Sequence, residues 1–295
     1  MQIPVNQKEN FPSEDVDCSG FLWLEAGRME NHYWADLWRY RELFAILAWR
    51  DVAVRYKQTV AGAAWAVLQP FLTMIIMTVV FGRVAALPTP GDAPYAILVF
   101  AGMLPWQFFA SSVSSSSQSL VGNANLISKV YFPRMIVPIS AVVVACVDFL
   151  ISFAILGGLM VWYQFWPNPR LLLLPGFVIL SFLAALGPGL MLTALSVRYR
   201  DFRFVIPFIV QFGLYASPVG YSTQLIRDRF GEVGMLIYSL NPMVGVIDGF
   251  RWAILGGVSS LYLPGLMISL SVVAVWLLAG IVYFRKTERT FADVV

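Results

Sequence analysis

The chain has 295 residues, of which 59% are hydrophobic and only 13% charged, with a mean hydropathy of +0.72. A soluble domain carries about 25% charged residues, so a soluble globular enzyme or a nucleic-acid binder is excluded and a polytopic membrane protein is expected. The net charge of +3 and two cysteines, Cys18 and Cys146, point to neither a polyanion partner nor a disulfide framework.

Residues 1–36 mix Glu, Asp, Asn and Pro with scattered aromatics and read as a polar cytoplasmic tail. The first sixty residues lack the regions of a cleavable signal peptide, so targeting is expected to come from the first span. Asp36 is placed to cap a helix over 37–58. Along it Leu43, Ile46, Leu47, Arg50 and Val54 follow helical spacing, with Trp38, Phe44 and Trp49 adding bulk and Arg39, Arg41, Arg50, Arg55 and Lys57 supplying charge. Two readings stand open: an amphipathic helix in the membrane interface, or a cytosolic helix packed on other protein.

Six segments then reach the ~20 residues a crossing helix needs: 61–82, 95–118, 136–162, 171–196, 203–220 and 264–284. Pro70 and Pro188 are expected to kink the first and fourth. Ala184, Ala185, Gly187, Gly189 and Ala194 in the fourth suit close helix packing. Residues 221–263 do not read as a span: Asn241-Pro242 interrupts the apolar run, and Asp248 and Arg251 sit at i, i+3. A broken, re-entrant helix pair at the outer face is expected there. Only Arg83, Arg170, Arg227, Arg229 and Arg251 of the twenty cations fall in the outer loops if both termini are cytoplasmic, so that orientation, with a C-terminal tail over 285–295, is the consistent one.

The loop 120–135 lies on the inner side of this scheme. Leu126, Ile127, Val130 and Tyr131 fall at i, i+1, i+4 and i+5, flanked by Asn125 and Lys129. A short helix here would carry one apolar face, with Pro133 ending it and Pro138 in the first turn of the next span. That face can be covered by the protein's own helices or lipid headgroups, or it can dock a soluble partner.

No enzyme constellation is present. His32 is the only His, no phosphate-binding loop of the GxxxxGK[ST] type occurs, and no catalytic, cofactor-binding or metal-binding residue is assigned. Asp148, the one acid within a confident span, is either a structural carboxylate held by neighbouring helices or a functional group. Two stripes are helix faces: Gly62, Ala66, Gln69 and Thr73 in the first span, and Phe204, Phe208, Gln211 and Tyr215 in the fifth. Each is either interhelical packing or the lining of a conduit. Trp162, Tyr163, Phe165 and Trp166 read as an interfacial belt.

Arg50-Asp51, Arg55-Tyr-Lys-Gln-Thr59, Gly62, Trp65 and Pro70 resemble the start of the first span in ABC-2-type polysaccharide export permeases. Leu104-Pro-Trp106 with its Ser-rich continuation, Lys129-Val-Tyr-Phe-Pro-Arg134, Arg198-Tyr-Arg-Asp201, Ser217-Pro-Val219 with Tyr221, and Asn241-Pro242 through Phe250-Arg251 continue the resemblance in order. It implies an all-α integral membrane protein of the bacterial inner membrane, a six-span domain over 61–284 that works as a homodimer. Two copies of a separate cytoplasmic ATPase subunit would bind ATP and Mg; this chain would bind no cofactor. The 120–135 loop would be the coupling element, with Asn125, Leu126, Ile127, Lys129, Val130 and Tyr131 meeting the ATPase.

The substrate implied is a lipid-linked glycan, O-antigen first, with capsular polysaccharide, teichoic acid or a smaller lipid or drug as alternatives. An intramembrane glycosyltransferase is the reading from another class, and a stand-alone channel a third. On this scheme the two stripes line the pathway, and Arg55, Lys57 and Arg203 meet the lipid diphosphate.

Overall fold

In hydrocarbon a chain must satisfy its own backbone, and helices do so within one segment. The computed structural model describes residues 33–57, 60–89, 91, 93–127, 129–166, 168–256, 261–289 and 291, and among these there are eleven α-helices and no strand. Of the tail expected over 1–36, residues 1–32 with Cys18 and His32 lie outside the described residues, as do Gln58, Thr59 and 292–295, while 33–36 fall in the first helix.

Helices α1 (Tyr33–Arg39) and α2 (Arg41–Lys57) are joined through Tyr40, whose N–H donates to the Asp36 carbonyl at 2.9 Å. Asp36 therefore lies inside a first turn rather than capping one. The helix starts earlier because Tyr33 is anchored: its ring lies 4.5 Å under the Arg285 guanidinium and its hydroxyl donates to Glu288 at 3.0 Å. Leu47 and Ala48 are buried on the side of α2 that meets α6 (Ile136–Trp162), while Trp38, Ile46 and Trp49 are exposed. That division fits a helix lying on the bundle with its tryptophans outward.

Helix α3 (Val60–Met77) runs through Pro70 and continues as a π-helical turn, Thr78–Val84, that its sequence did not announce. Helix α4 (Tyr95–Gly122) is the central post, buried along most of its length and packed on α6, α7 (Leu174–Arg198) and α10 (Pro242–Ile254). Its Ser run lets neighbours approach closely and supplies hydrogen bonds: Ser116 Oγ donates to the Pro138 carbonyl at 2.8 Å, and Thr193 of α7 donates to the Ser116 carbonyl at 2.8 Å. Pro138 lies in the first turn of α6.

The small residues of α7 meet α11 (Leu263–Glu288). A Cβ on Gly187 would lie 2.7 Å from the Trp276 carbonyl oxygen, so the two backbones are in contact there.

Five helical stretches are long and apolar enough to cross a bilayer: Ala64–Val84, α4, α6, Pro169–Arg198 and α11. The stretch expected to cross at 203–220 is shorter. Helix α8 (Phe202–Ala216) has 15 residues, about 22 Å at 1.5 Å per residue, against a hydrocarbon core of about 30 Å. It stops because Pro218 drives Ser217 out of the helical region, to φ −109° and ψ 151°. Helices α9 (Thr223–Tyr238) and α10 follow, bent by 115° at Asn241-Pro242. Asn241 Oδ1 caps the second of them, accepting from Met243 N–H at 3.0 Å. This is the broken pair expected over 221–263, and the described residues form the expected all-α membrane fold.

The loop helix α5 is only Ala124–Ile127. It ends well before Pro133, contrary to expectation, because the segment after it turns inward to bury Phe132 and Met135.

Candidate functional site

A cavity of about 400 Å³ runs along α4. Helix α3 contributes Ala66, Gln69, Pro70 and Thr73; α4 contributes Trp106, Gln107, Phe108, Ser111 and Ser114; α8 contributes Val210 and Leu214. The first predicted stripe thus lines an open space, except that Gly62 lies in the first turn of α3, where only the backbone is described.

The second stripe does not line it. Phe204, Phe208, Gln211 and Tyr215 are exposed on another face of α8. The rotation of α8 is set by Ile206, buried against Val113 and Ala185, and by Gly213, where an added Cβ would come within 2.7 Å of the Trp106 ring. Spans one and five do share the cavity, but each packs on α4 rather than on the other.

Asp148 closes one side. Its Oδ2 pairs with Arg55 at 2.8 Å, and its Oδ1 accepts from the Tyr56 hydroxyl. Burial and then this carboxylate push the Tyr56 phenol up from its ordinary value. The positive charge of Arg55 is therefore already matched, while Lys57 is exposed at the end of α2. Arg203 lies elsewhere, in a second cavity between α4, α7 and α8. The three cations expected to act together are split between two places.

The 120–135 loop is pinned at both ends. Arg50 donates to Asn123 at 2.7 Å, and Asn123 donates back to the Ser119 carbonyl at 2.8 Å. At the other end the Arg134 N–H donates to the Glu288 carboxylate at 2.8 Å and its guanidinium to the Glu288 carbonyl at 2.6 Å. Between these pins the four apolar residues divide. Ile127 is buried and Leu126 half-buried in a cluster with Leu47, Phe132, Met135 and Phe284. Val130 and Tyr131 stand out at 49% and 51% exposure, next to exposed Lys129 and Asn125. The presented knob is two residues, not four.

At the opposite end of the bundle sequence reasoning missed the central residue. Arg251 was counted as a loop cation, yet it is 1% exposed. Its guanidinium donates to the carbonyls of Leu98 (3.2 Å), Val219 (2.8 Å) and Tyr221 (2.7 Å). The Gly220 carbonyl is taken by the Tyr95 hydroxyl at 2.6 Å, and Asn241 Nδ2 donates to Ser217 Oγ at 2.9 Å. The non-helical stretch after α8 is thus held by side chains from α4 and α10, as irregular backbone at membrane depth requires. Asp248 accepts from Thr223 at 2.9 Å and ties α9 to α10. The signal available in the sequence was the i, i+3 pair Asp248 and Arg251 on an otherwise apolar helix.

The profile of the family described as ABC-2 type transporter matches residues 42–255. The chain belongs to this family. Within the ABC-2 family it is 29% identical over 216 residues to the O-antigen export system permease protein RfbA of Myxococcus xanthus, covering 73% of this chain and 81% of that one. It is 26% identical over 260 residues to the protein of the same name from Klebsiella pneumoniae, covering 86% and 95%. To the polysialic acid transport protein KpsM of Escherichia coli it is 23% identical over 213 residues, covering 70% and 79%. The matched region begins in α2 and ends just past α10, so it takes in the cavity, the loop and the Arg251 network.

Proposed function

We propose that the chain is the membrane permease of an ABC exporter that moves a lipid-linked polysaccharide, O-antigen first, across the bacterial inner membrane. Family membership and the names of the relatives support the transport class. The polysialic acid relative supports polysaccharide as the broader substrate.

The observation that carries the reading is the cavity along α4. Sugar rings have apolar C–H faces and polar rims. Trp106 and Phe108 offer flat apolar surface, and Gln69, Thr73, Gln107, Ser111 and Ser114 offer uncharged hydrogen-bonding groups. A conduit needs such contacts to be many and individually weak, since a site that holds one sugar tightly stops the next. The one carboxylate of the lining, Asp148, is occupied by Arg55 and Tyr56.

Two copies would share the work. The exposed apolar faces of α3 (Leu68, Phe71, Leu72, Ile75) and α8 (Phe204, Phe208, Phe212) flank the cavity and suit a second copy or lipid. Energy would come from two copies of a cytoplasmic ATPase carrying ATP and Mg, docked on Val130, Tyr131 and Lys129, with both termini on that side. In cells whose glycan export depends on this chain, Ala66→Trp fills the cavity from α3. The expected result is lipid-linked glycan accumulating on the cytoplasmic leaflet while the protein inserts and folds normally. Normal export by a folded Ala66→Trp protein would refute the assignment of the conduit.

A further inference from the structure

The second cavity, about 410 Å³, lies where the ends of α4 and α7 meet the start of α8. Ala124 of the 120–135 loop lines it, so it opens at the loop end of the bundle. Its polar lining is Arg200, Arg203, Ser117, Gln118 and Ser196. Neither arginine has a carboxylate partner among the described residues, and Asp201, between them in sequence, is exposed and not part of the lining. Ser196 is 7% exposed, and its Oγ has no hydrogen-bond partner among the described residues.

Native proteins rarely bury a hydroxyl without a partner, and each exception asks for an explanation. Here the orphan hydroxyl shares a cavity with two unmatched guanidinium groups. Val121, Val197 and the 79% exposed Phe204 form an apolar margin.

We propose that this cavity is a binding site for the phosphate of an anionic lipid. The Arg200 and Arg203 guanidinium groups match phosphate oxygens as charge-assisted donors. The Ser196 hydroxyl and Gln118 amide supply neutral donors, and the apolar margin takes the start of the lipid chain. Two sources carry that chemistry: a prenyl diphosphate bearing the glycan, or a phospholipid headgroup of the bilayer. The choice of the first rests on the export reading above; the site itself does not.

The test is binding to the purified full chain in phosphatidylcholine nanodiscs, with radiolabelled farnesyl diphosphate as probe, farnesol as the uncharged control, and phosphatidylglycerol enrichment around the protein measured in parallel. Farnesyl diphosphate is expected to bind and farnesol to fail. Arg200→Gln and Arg203→Gln should each weaken binding by about tenfold or more, the scale of one lost hydrogen bond to a charged group. Arg198→Gln, outside the lining, should change nothing. Loss of phosphatidylglycerol enrichment alone in the two variants supports the site and names the bilayer as its source. Both signals unchanged in folded Arg200→Gln and Arg203→Gln proteins would overturn it.

Ser196→Ala and Arg203→Lys, both mild changes, decide the matter if a glutamine variant misfolds: weaker probe binding in either supports the site, and unchanged binding in both overturns it. Intact probe binding by a protein that exports no glycan would sink the export reading and leave this site standing.

Discussion

Replacing Arg251 by Met tests the network that holds the non-helical stretch after α8. Methionine keeps most of the buried volume and removes the three donations to Leu98, Val219 and Tyr221. Hydrogen bonds from a charged group contribute about 1.5–3 kcal/mol each, so the gross loss is roughly 4.5–9 kcal/mol. The carbonyls recover part of it by admitting water or relaxing, and the guanidinium's own desolvation cost disappears. A net loss of about 3–5 kcal/mol, the range for breaking a buried charged contact by removing one partner, is expected.

At on the order of 2 °C per kcal/mol for a chain of this size, the unfolding midpoint in detergent should fall by about 6–10 °C. Arg251→Lys should fall less, because an ammonium keeps the charge but lacks the planar fork that spans three acceptors. The assay is tryptophan fluorescence on heating, paired with the rate of tryptic cleavage at Arg227 and Arg229, which should rise as the hairpin loosens. A midpoint for Arg251→Met within about 2 °C of the parent, with unchanged cleavage, would refute the reasoning, since surface-like substitutions fall in that range.

Two further outcomes follow from the loop and the orientation. Val130→Asp combined with Tyr131→Asp should leave the unfolding midpoint nearly unchanged, these side chains being about half exposed, yet abolish co-purification of the ATPase; Ile127→Asp should instead destabilise the protein by several kcal/mol, because it buries a charge. Normal ATPase co-purification with the double variant would remove the docking role. Single cysteines at Thr89, Arg227 and Arg289, in a protein without Cys18 and Cys146, should react with an impermeant thiol reagent on whole cells at the first two positions only; labelling at 289 would reverse the orientation.

The spans were legible because apolar runs of bilayer length have few alternatives. The break at Asn241-Pro242 was legible because a proline there removes a donor and starts a new helix. The end of α8 was within reach too, since Pro218 restricts Ser217, but the apolar residues beyond it hid the stop. The rotation of α8 was not legible. In a soluble helix polarity separates the faces; here Phe204 and Phe208 on one face and Ile206 and Val210 on another are equally apolar, and the contacts of Ile206 with Val113 and Ala185 and of Gly213 with Trp106 choose between them.

The loop failed for a related reason. Leu126, Ile127, Val130 and Tyr131 share a helical spacing, but the α-helix ends at Ile127, and past it the spacing no longer describes a common face. Arg251 was hidden by the usual rule that a cation near a membrane end faces water.

Helix α11 is fastened at two levels. Near one end Ser269 Oγ accepts from Gly245 N–H at 3.2 Å and donates to the Ser239 carbonyl at 3.0 Å, while at the other Glu288 holds Arg134 and Tyr33. Between them Val273, Gly280 and Phe284 keep to the same buried side. The helix therefore acts as a gauge of fixed pitch. Adding or deleting one residue between Ser269 and Glu288 would turn one fastening by about 100° relative to the other, and Gly280 would leave the α7 backbone. Side chains on the far side, such as Leu270, Val275, Leu278 and Val282, are exposed and open to exchange among apolar types. In α11 it is the number of residues, more than their identity, that the architecture holds constant.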